Sequence, residues 1–173
     1  MIQTELNLAG LHTLVIGDLR RARQLVVLLH GYTMQPEDLA PFAQTLRVGD
    51  TAYVLPQAHL GASRGGHSWW QVDETARQQQ LQQGPRDLAD SHPTGLHDAR
   101  QHVEKLLTEL QALAPQAHLV LGGFSQGGML ACDVALHTAW PLHALFMLSA
   151  CLLSHADWAP RLHRLHGLPV LVT

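Results

Sequence analysis

The sequence predicts an α/β fold in three layers: a mostly parallel β-sheet with helices over both faces and an antiparallel hairpin at one edge. Three observations carry this. Short, largely apolar runs recur at 25–29, 52–55, 119–122, 144–149 and 169–173. They are too short for buried helices and have the character of strands covered on both faces. Each is separated from the next by more than ten residues, much of that helical in period, the length that a parallel crossover needs. Residues 2–16 instead alternate polar and apolar side chains around Ala9-Gly10, the pattern of a half-buried hairpin. No internal repeat or linker interrupts the chain, so 1–173 reads as one domain.

Taken in order, Ile2 to Leu8 and Leu11 to Ile16 form the hairpin, and Leu25-Val26-Val27-Leu28-Leu29 is the first fully buried strand, ending at His30-Gly31-Tyr32. Pro36-Glu37-Asp38 opens a helix with proline and acids in its first turn, continuing through Leu39, Phe42, Ala43 and Leu46. Ala52-Tyr53-Val54-Leu55 is the next strand. From 57 to 94 periodicity is lost, with Gln78-Gln79-Gln80-Leu81-Gln82-Gln83 a low-complexity patch. So long an excursion is a functional lid or a disordered segment. Its Ser68-Trp69-Trp70 carries too much apolar surface to leave in water.

Thr94 is the expected cap of an amphipathic helix in which Leu96, Ala99, Val103, Leu106, Leu107, Leu110 and Leu113 recur at three- and four-residue spacing until Pro115. The helix from Gln126 to Thr138 is apolar almost all round, with Asp133 its only charge, and is expected to be buried. Another is predicted over 156–165, with Trp158, Leu162 and Leu165 inward.

Composition narrows the function classes. Of 173 residues, 46% are apolar but only 14% charged, and the net charge is −3. That leaves no basic surface for nucleic acid and no charged tail. Thirteen histidines are present, yet none is spaced as in a zincin motif, so no metal site is expected and no cofactor motif appears. Cys132 and Cys151 lie in apolar runs and read as buried free thiols. With no basic leader and no apolar span of membrane length, the expectation is a cytoplasmic protein.

The chemistry concentrates at Gly122-Gly123-Phe124-Ser125-Gln126-Gly127-Gly128. Here a strand, a sharp turn and a helix fit G-x-S-x-G, the elbow that lifts a serine Oγ clear of the sheet in a strained backbone conformation. Glycines flank the serine because a Cβ would strike the neighbouring strand or helix. The helix N-terminus beneath it favours the negative charge of a tetrahedral intermediate. The turn is suited to acyl transfer.

Together with Leu29-His30-Gly31, Ser68-Trp69-Trp70 and Leu148-Ser149-Ala150-Cys151-Leu152-Leu153, the form Gly123-Phe124-Ser125-Gln126-Gly127-Gly128-Met129 resembles the phospholipase/carboxylesterase group of α/β-hydrolases, which includes acyl-protein thioesterases. The resemblance covers residues 25–173. It implies Ser125 as nucleophile, the backbone N–H groups of Tyr32 and Gln126 as oxyanion donors, and a small-molecule ester or thioester substrate. His30, ahead of the oxyanion loop, is expected to play a structural hydrogen-bonding part. Trp69 and Trp70 are candidates for an acyl pocket, at least one of them lining it, the other reading being that they only anchor the loop in the core.

By the same resemblance the acid of the triad follows the strand beginning at Pro169 and the histidine follows one more strand. The expectation is therefore a chain cut before them, with the strand at 169–173 left as an open apolar edge that favours association, homo-oligomers included. Asp157 with His163 or His166 has the order of a substitute pair, but on a surface-type helix. The reading of a different class is a non-catalytic binding or scaffold protein that keeps the hydrolase fold.

Overall fold

The computed structural model describes residues 2–46, 48–84 and 87–173; Pro85 and Arg86, within the long excursion, lie outside the described residues. Among the described residues there are nine strands: β1 (Gln3–Leu8), β2 (Leu11–Ile16), β3 (Gln24–Leu29), β4 (Thr51–Pro56), β5 (Leu60–Gly61), β6 (His67–Ser68), β7 (His118–Phe124), β8 (Leu142–Leu148) and β9 (Val170–Val172). Seven build one sheet in the order β1-β2-β4-β3-β7-β8-β9, while β5 and β6 pair separately. The β1–β2 and β2–β4 contacts are antiparallel. All others in the large sheet are parallel. This is the predicted α/β-hydrolase-like arrangement with its N-terminal hairpin at one edge.

The continuous apolar runs are explained by burial on both faces. In β3, Leu25, Val27 and Leu29 join one core cluster and Val26 and Leu28 the other. Successive side chains of a strand point to opposite faces, so a strand covered twice has no polar position. The first face packs against α3 (Leu96–Leu113) and α4 (Gln126–His137), the second against α1 (Pro36–Leu46). Every residue from Gln126 to Leu136 is buried, as an all-apolar helix should be.

Asp133, the one charge inside α4, is fully enclosed but not unpaired. It accepts from Arg100 of α3 at 2.9 Å and from the indole Nε1 of Trp158 at 2.9 Å. A buried carboxylate persists only when such partners replace its water. Here they also tie α3 and α4 to α5 (His155–Trp158).

Several expectations change. Thr94 does not cap α3: the residue before the helix is Gly95, at φ 94°, with no side-chain cap. Phe42 and Leu46 of α1 are 40% and 45% exposed, leaving Leu39, Ala40 and Ala43 to pack inward. The helix expected over 156–165 is four α-helical residues followed by a 3-10 turn, Ala159–Leu165. Pro160 lacks the N–H that would continue the α-helix. In that tighter spiral Leu162 faces outward, while Trp158 stays buried. Of the two free cysteines, Cys132 is buried, its thiol pushed up to about 12 by that burial and by neighbouring Asp133, but Cys151 is exposed.

The excursion holds an unpredicted helix, α2 (Glu74–Gln83), none of whose residues is buried. Asp73 caps it by accepting from the Ala76 N–H at 2.9 Å. Good helix formers and a cap sustain it without an apolar stripe, so periodicity has nothing to detect. At the far edge of the sheet, Val170, Leu171 and Val172 of β9 are all exposed. No helix among the described residues is long and apolar enough to cross a membrane.

Candidate active site

Ser125 occupies the turn between β7 and α4 with φ 51° and ψ −114°, a conformation that L-residues rarely adopt. Two contacts hold it there. Its N–H donates to the Leu148 carbonyl at 2.8 Å, and its own carbonyl accepts from the Met129 N–H at 3.0 Å, opening α4. Gly123 and Gly127 make the turn possible, since a Cβ on either would be driven into the Leu29 carbonyl at the end of β3. The helix therefore starts hard against the sheet, and the Ser125 side chain, half-buried, faces a groove.

The Tyr32 and Gln126 N–H groups belong to separate segments, and both residues line that groove with Ser125. Among the described residues neither N–H has an acceptor. For Gln126 this follows from its place in the first helical turn. For Tyr32 the cause is His30. The buried imidazole donates from Nδ1 to the Gly31 carbonyl at 2.8 Å and accepts at Nε2 from the Ala58 N–H at 3.0 Å. In a trans peptide the Gly31 carbonyl and the Tyr32 N–H point opposite ways, so pinning one aims the other. Burial lowers the His30 pKa to about 4, and nearby His67 adds to the effect against the opposing hydrogen bond to Gly31. The ring is a neutral strut.

The Gln126 side chain has a part that sequence reading missed. Fully buried, its Oε1 accepts from the Trp69 N–H at 3.0 Å, and its Nε2 donates to the Trp70 carbonyl at 3.1 Å and to Ser68 Oγ at 3.2 Å. Ser68 Oγ also donates to the Trp70 carbonyl. The residue after Ser125 thus clamps Ser68-Trp69-Trp70 to the helix N-terminus. The available signal was a polar residue at the start of an otherwise apolar helix.

That clamp divides the tryptophans. Trp69 is fully enclosed, its Nε1 donating to the His30 carbonyl at 2.9 Å. Trp70 lines the groove, which has a volume of about 540 Å³. Its walls also include Val72, Leu81, Leu88, Met129 and Leu153, with Arg77 and Asp73 from α2 and its cap and Cys151 near the turn. Arg77 lies over the Tyr32 ring, 5.7 Å from its centroid, and pairs with Glu74 at 3.2 Å. The unpredicted helix therefore forms one side of the groove. Among the described residues, no histidine lines the groove. Asp157 does not meet His163 or His166: it pairs with His137 at 2.9 Å and with Arg161, while His163 Nδ1 bonds to the Pro160 carbonyl.

Comparison with known proteins places the fold and the family. Esterase PE8 is similar over 91% of this chain and 71% of its own, at 26% identity and a TM-score of 0.74. The Mesorhizobium loti carboxylesterase shares the fold over 99% of this chain and 89% of its own, at 16% identity and a TM-score of 0.65. Zea mays acyl-protein thioesterase 2 does so over 92% and 74%, at 21% and 0.66. The sequence profile of the phospholipase/carboxylesterase family matches residues 12–172, and with an elbow serine at the end of its central strand the chain belongs to that esterase-type hydrolase family.

Proposed function

We propose that the protein is a serine hydrolase that cleaves carboxylic esters or thioesters of small to medium acyl chains through an acyl-enzyme on Ser125. The observation that carries this is the left-handed backbone at Ser125, facing a groove that two unpaired N–H groups also border. Oγ attacks the substrate carbonyl carbon, and the carbonyl oxygen gains negative charge within reach of the Tyr32 and Gln126 N–H groups. Such preorganised donors are worth about 100- to 1,000-fold in rate apiece. Collapse of the tetrahedral species expels the alcohol or thiol, and water then releases the acid. The acyl group lies along the apolar wall at Trp70, with Trp69 supporting from behind.

Serine needs a base to be a useful nucleophile. Among the described residues lining the groove there is no histidine, and the Asp73 carboxylate is engaged as the cap of α2.

The test is fluorophosphonate labelling and nitrophenyl-ester turnover by the native gene product beside Ser125→Ala. Expected are loss of the label and a fall in kcat/KM of at least about 1,000-fold, with the fold retained. Activity within tenfold of the parent would refute Ser125 as nucleophile. A parent that neither labels nor turns over ester would favour the scaffold reading.

A further inference from the structure

Two exposed histidines, 25 residues apart in sequence, meet at the end of the sheet opposite Ser125. His118 opens β7, and His143 is the second residue of β8. The register between these parallel strands steps: Leu119 faces Leu142 and Val120 faces Ala144, so β8 carries one extra residue, which is His143. Such a bulge bends a strand and re-aims the side chain it carries. Here it turns one imidazole onto the other, with centroids 3.9 Å apart and planes at 62°. His118 Nδ1 is hydrogen-bonded directly to His143 Nε2. Trp140, Pro141, Gln111 and Gln116 complete that corner, around a cavity of about 210 Å³.

The geometry points to a two-imidazole binding site for a divalent transition metal at His118 and His143, bridging β7 and β8. Imidazole nitrogen suits Cu²⁺, Ni²⁺ and Zn²⁺, whereas Mg²⁺ and Ca²⁺ take oxygen ligands. His118 is paired with Gln24 of β3, and His143 is held between Leu142 and Ala144, both in register with β7, so the two backbones are already positioned. In the structure one ring donates and the other accepts. When a metal enters, the shared proton moves to the donor ring's far nitrogen. Both rings stay neutral, with lone pairs at His118 Nδ1 and His143 Nε2. The two nitrogens part to about 3 Å, as ligands about 2.0–2.1 Å from one ion require. Exposed side chains can make that adjustment, and water fills the other positions.

The competing location is Asp133, His137 and Asp157, the one trio of candidate ligands found among the described residues. Its carboxylates are already held by Arg100 and Arg161, whose charges oppose a cation. The histidine pair has no such partner in its hydrogen bond. It also lies the length of β7 from Ser125, about 20 Å, so the metal acts on the stability of the β7–β8 pairing rather than on the chemistry.

The experiment titrates NiCl₂ calorimetrically into the parent, His118→Ala, His143→Ala and, as an exposed control, His163→Ala. All three side chains are exposed, so the variants should fold. One Ni²⁺ per chain is expected, weakened at least about tenfold by either pair replacement and unchanged by His163→Ala. The parent's Tm should rise by about 5 °C at a hundredfold excess over Kd, and that of the pair variants should not. Cu²⁺ added to the parent should give an EPR spectrum with coupling to two nitrogens. Binding that survives both pair replacements, falls as far in His163→Ala, or is absent at millimolar Ni²⁺ would overturn the site.

Discussion

Acidification should unfasten the Gly31-Tyr32 segment through His30. The ring is fully buried, which disfavours its charged form, and with Nε2 accepting from the Ala58 N–H a proton there would also set donor against donor. Its pKa is accordingly about 4, against 6.5 for the free group. The unfolded chain takes up this proton as pH falls through 6.5, while the folded protein resists until about 4. His30 therefore contributes its full share of stability above pH 6.5, loses it between 6.5 and 4, and changes little below. The gap corresponds to about 3 kcal/mol. Urea unfolding at half-unit steps from pH 7.5 to 4, on the parent and on His30→Gln, isolates this from the other twelve histidines. The variant should be less stable at pH 7.5, and its deficit should shrink by about 3 kcal/mol on reaching pH 4. Curves that stay parallel within about 0.5 kcal/mol would refute the idea that a neutral His30 holds the loop.

Two further outcomes follow from the same neighbourhood. Gln126→Met keeps the side chain's length but orphans the buried Trp69 N–H and weakens the hold on Trp70. Roughly 2–4 kcal/mol should be lost, with tryptophan fluorescence showing a looser Ser68-Trp69-Trp70 segment; a Tm within 2 °C of the parent, where about 4 °C or more is expected, would show that the clamp is not needed. Trp70→Ala should alter the preferred acyl length of nitrophenyl esters, at about 1–3 kcal/mol per lost apolar contact, whereas Trp69→Ala should act mainly on stability, by about 3–5 kcal/mol; identical chain-length profiles for the Trp70 variant and the parent would remove Trp70 from the acyl wall.

The seven strands of the large sheet, the two principal crossover helices and the elbow were legible in the sequence because each is dictated locally. A twice-covered strand admits no polar residue, α3 shows its buried stripe at helical spacing, and G-F-S-Q-G-G can turn sharply only where glycines let β3 approach. The same local logic failed for α2, whose cap and propensity leave no periodic trace, and for Leu162, which Pro160 and the 3-10 twist turn outward. Tertiary structure alone decided the remainder, because those contacts join residues remote in sequence. It set His30 against Ala58, gave the Gln126 amide to the tryptophan segment, and separated Trp69 in the core from Trp70 at the groove. It also engaged Asp157 with His137 rather than His163, and brought His118 onto His143 through one extra residue in β8. A strand's burial is a property of its own side chains, but a hydrogen-bond partner is chosen by how the sheet brings distant segments together.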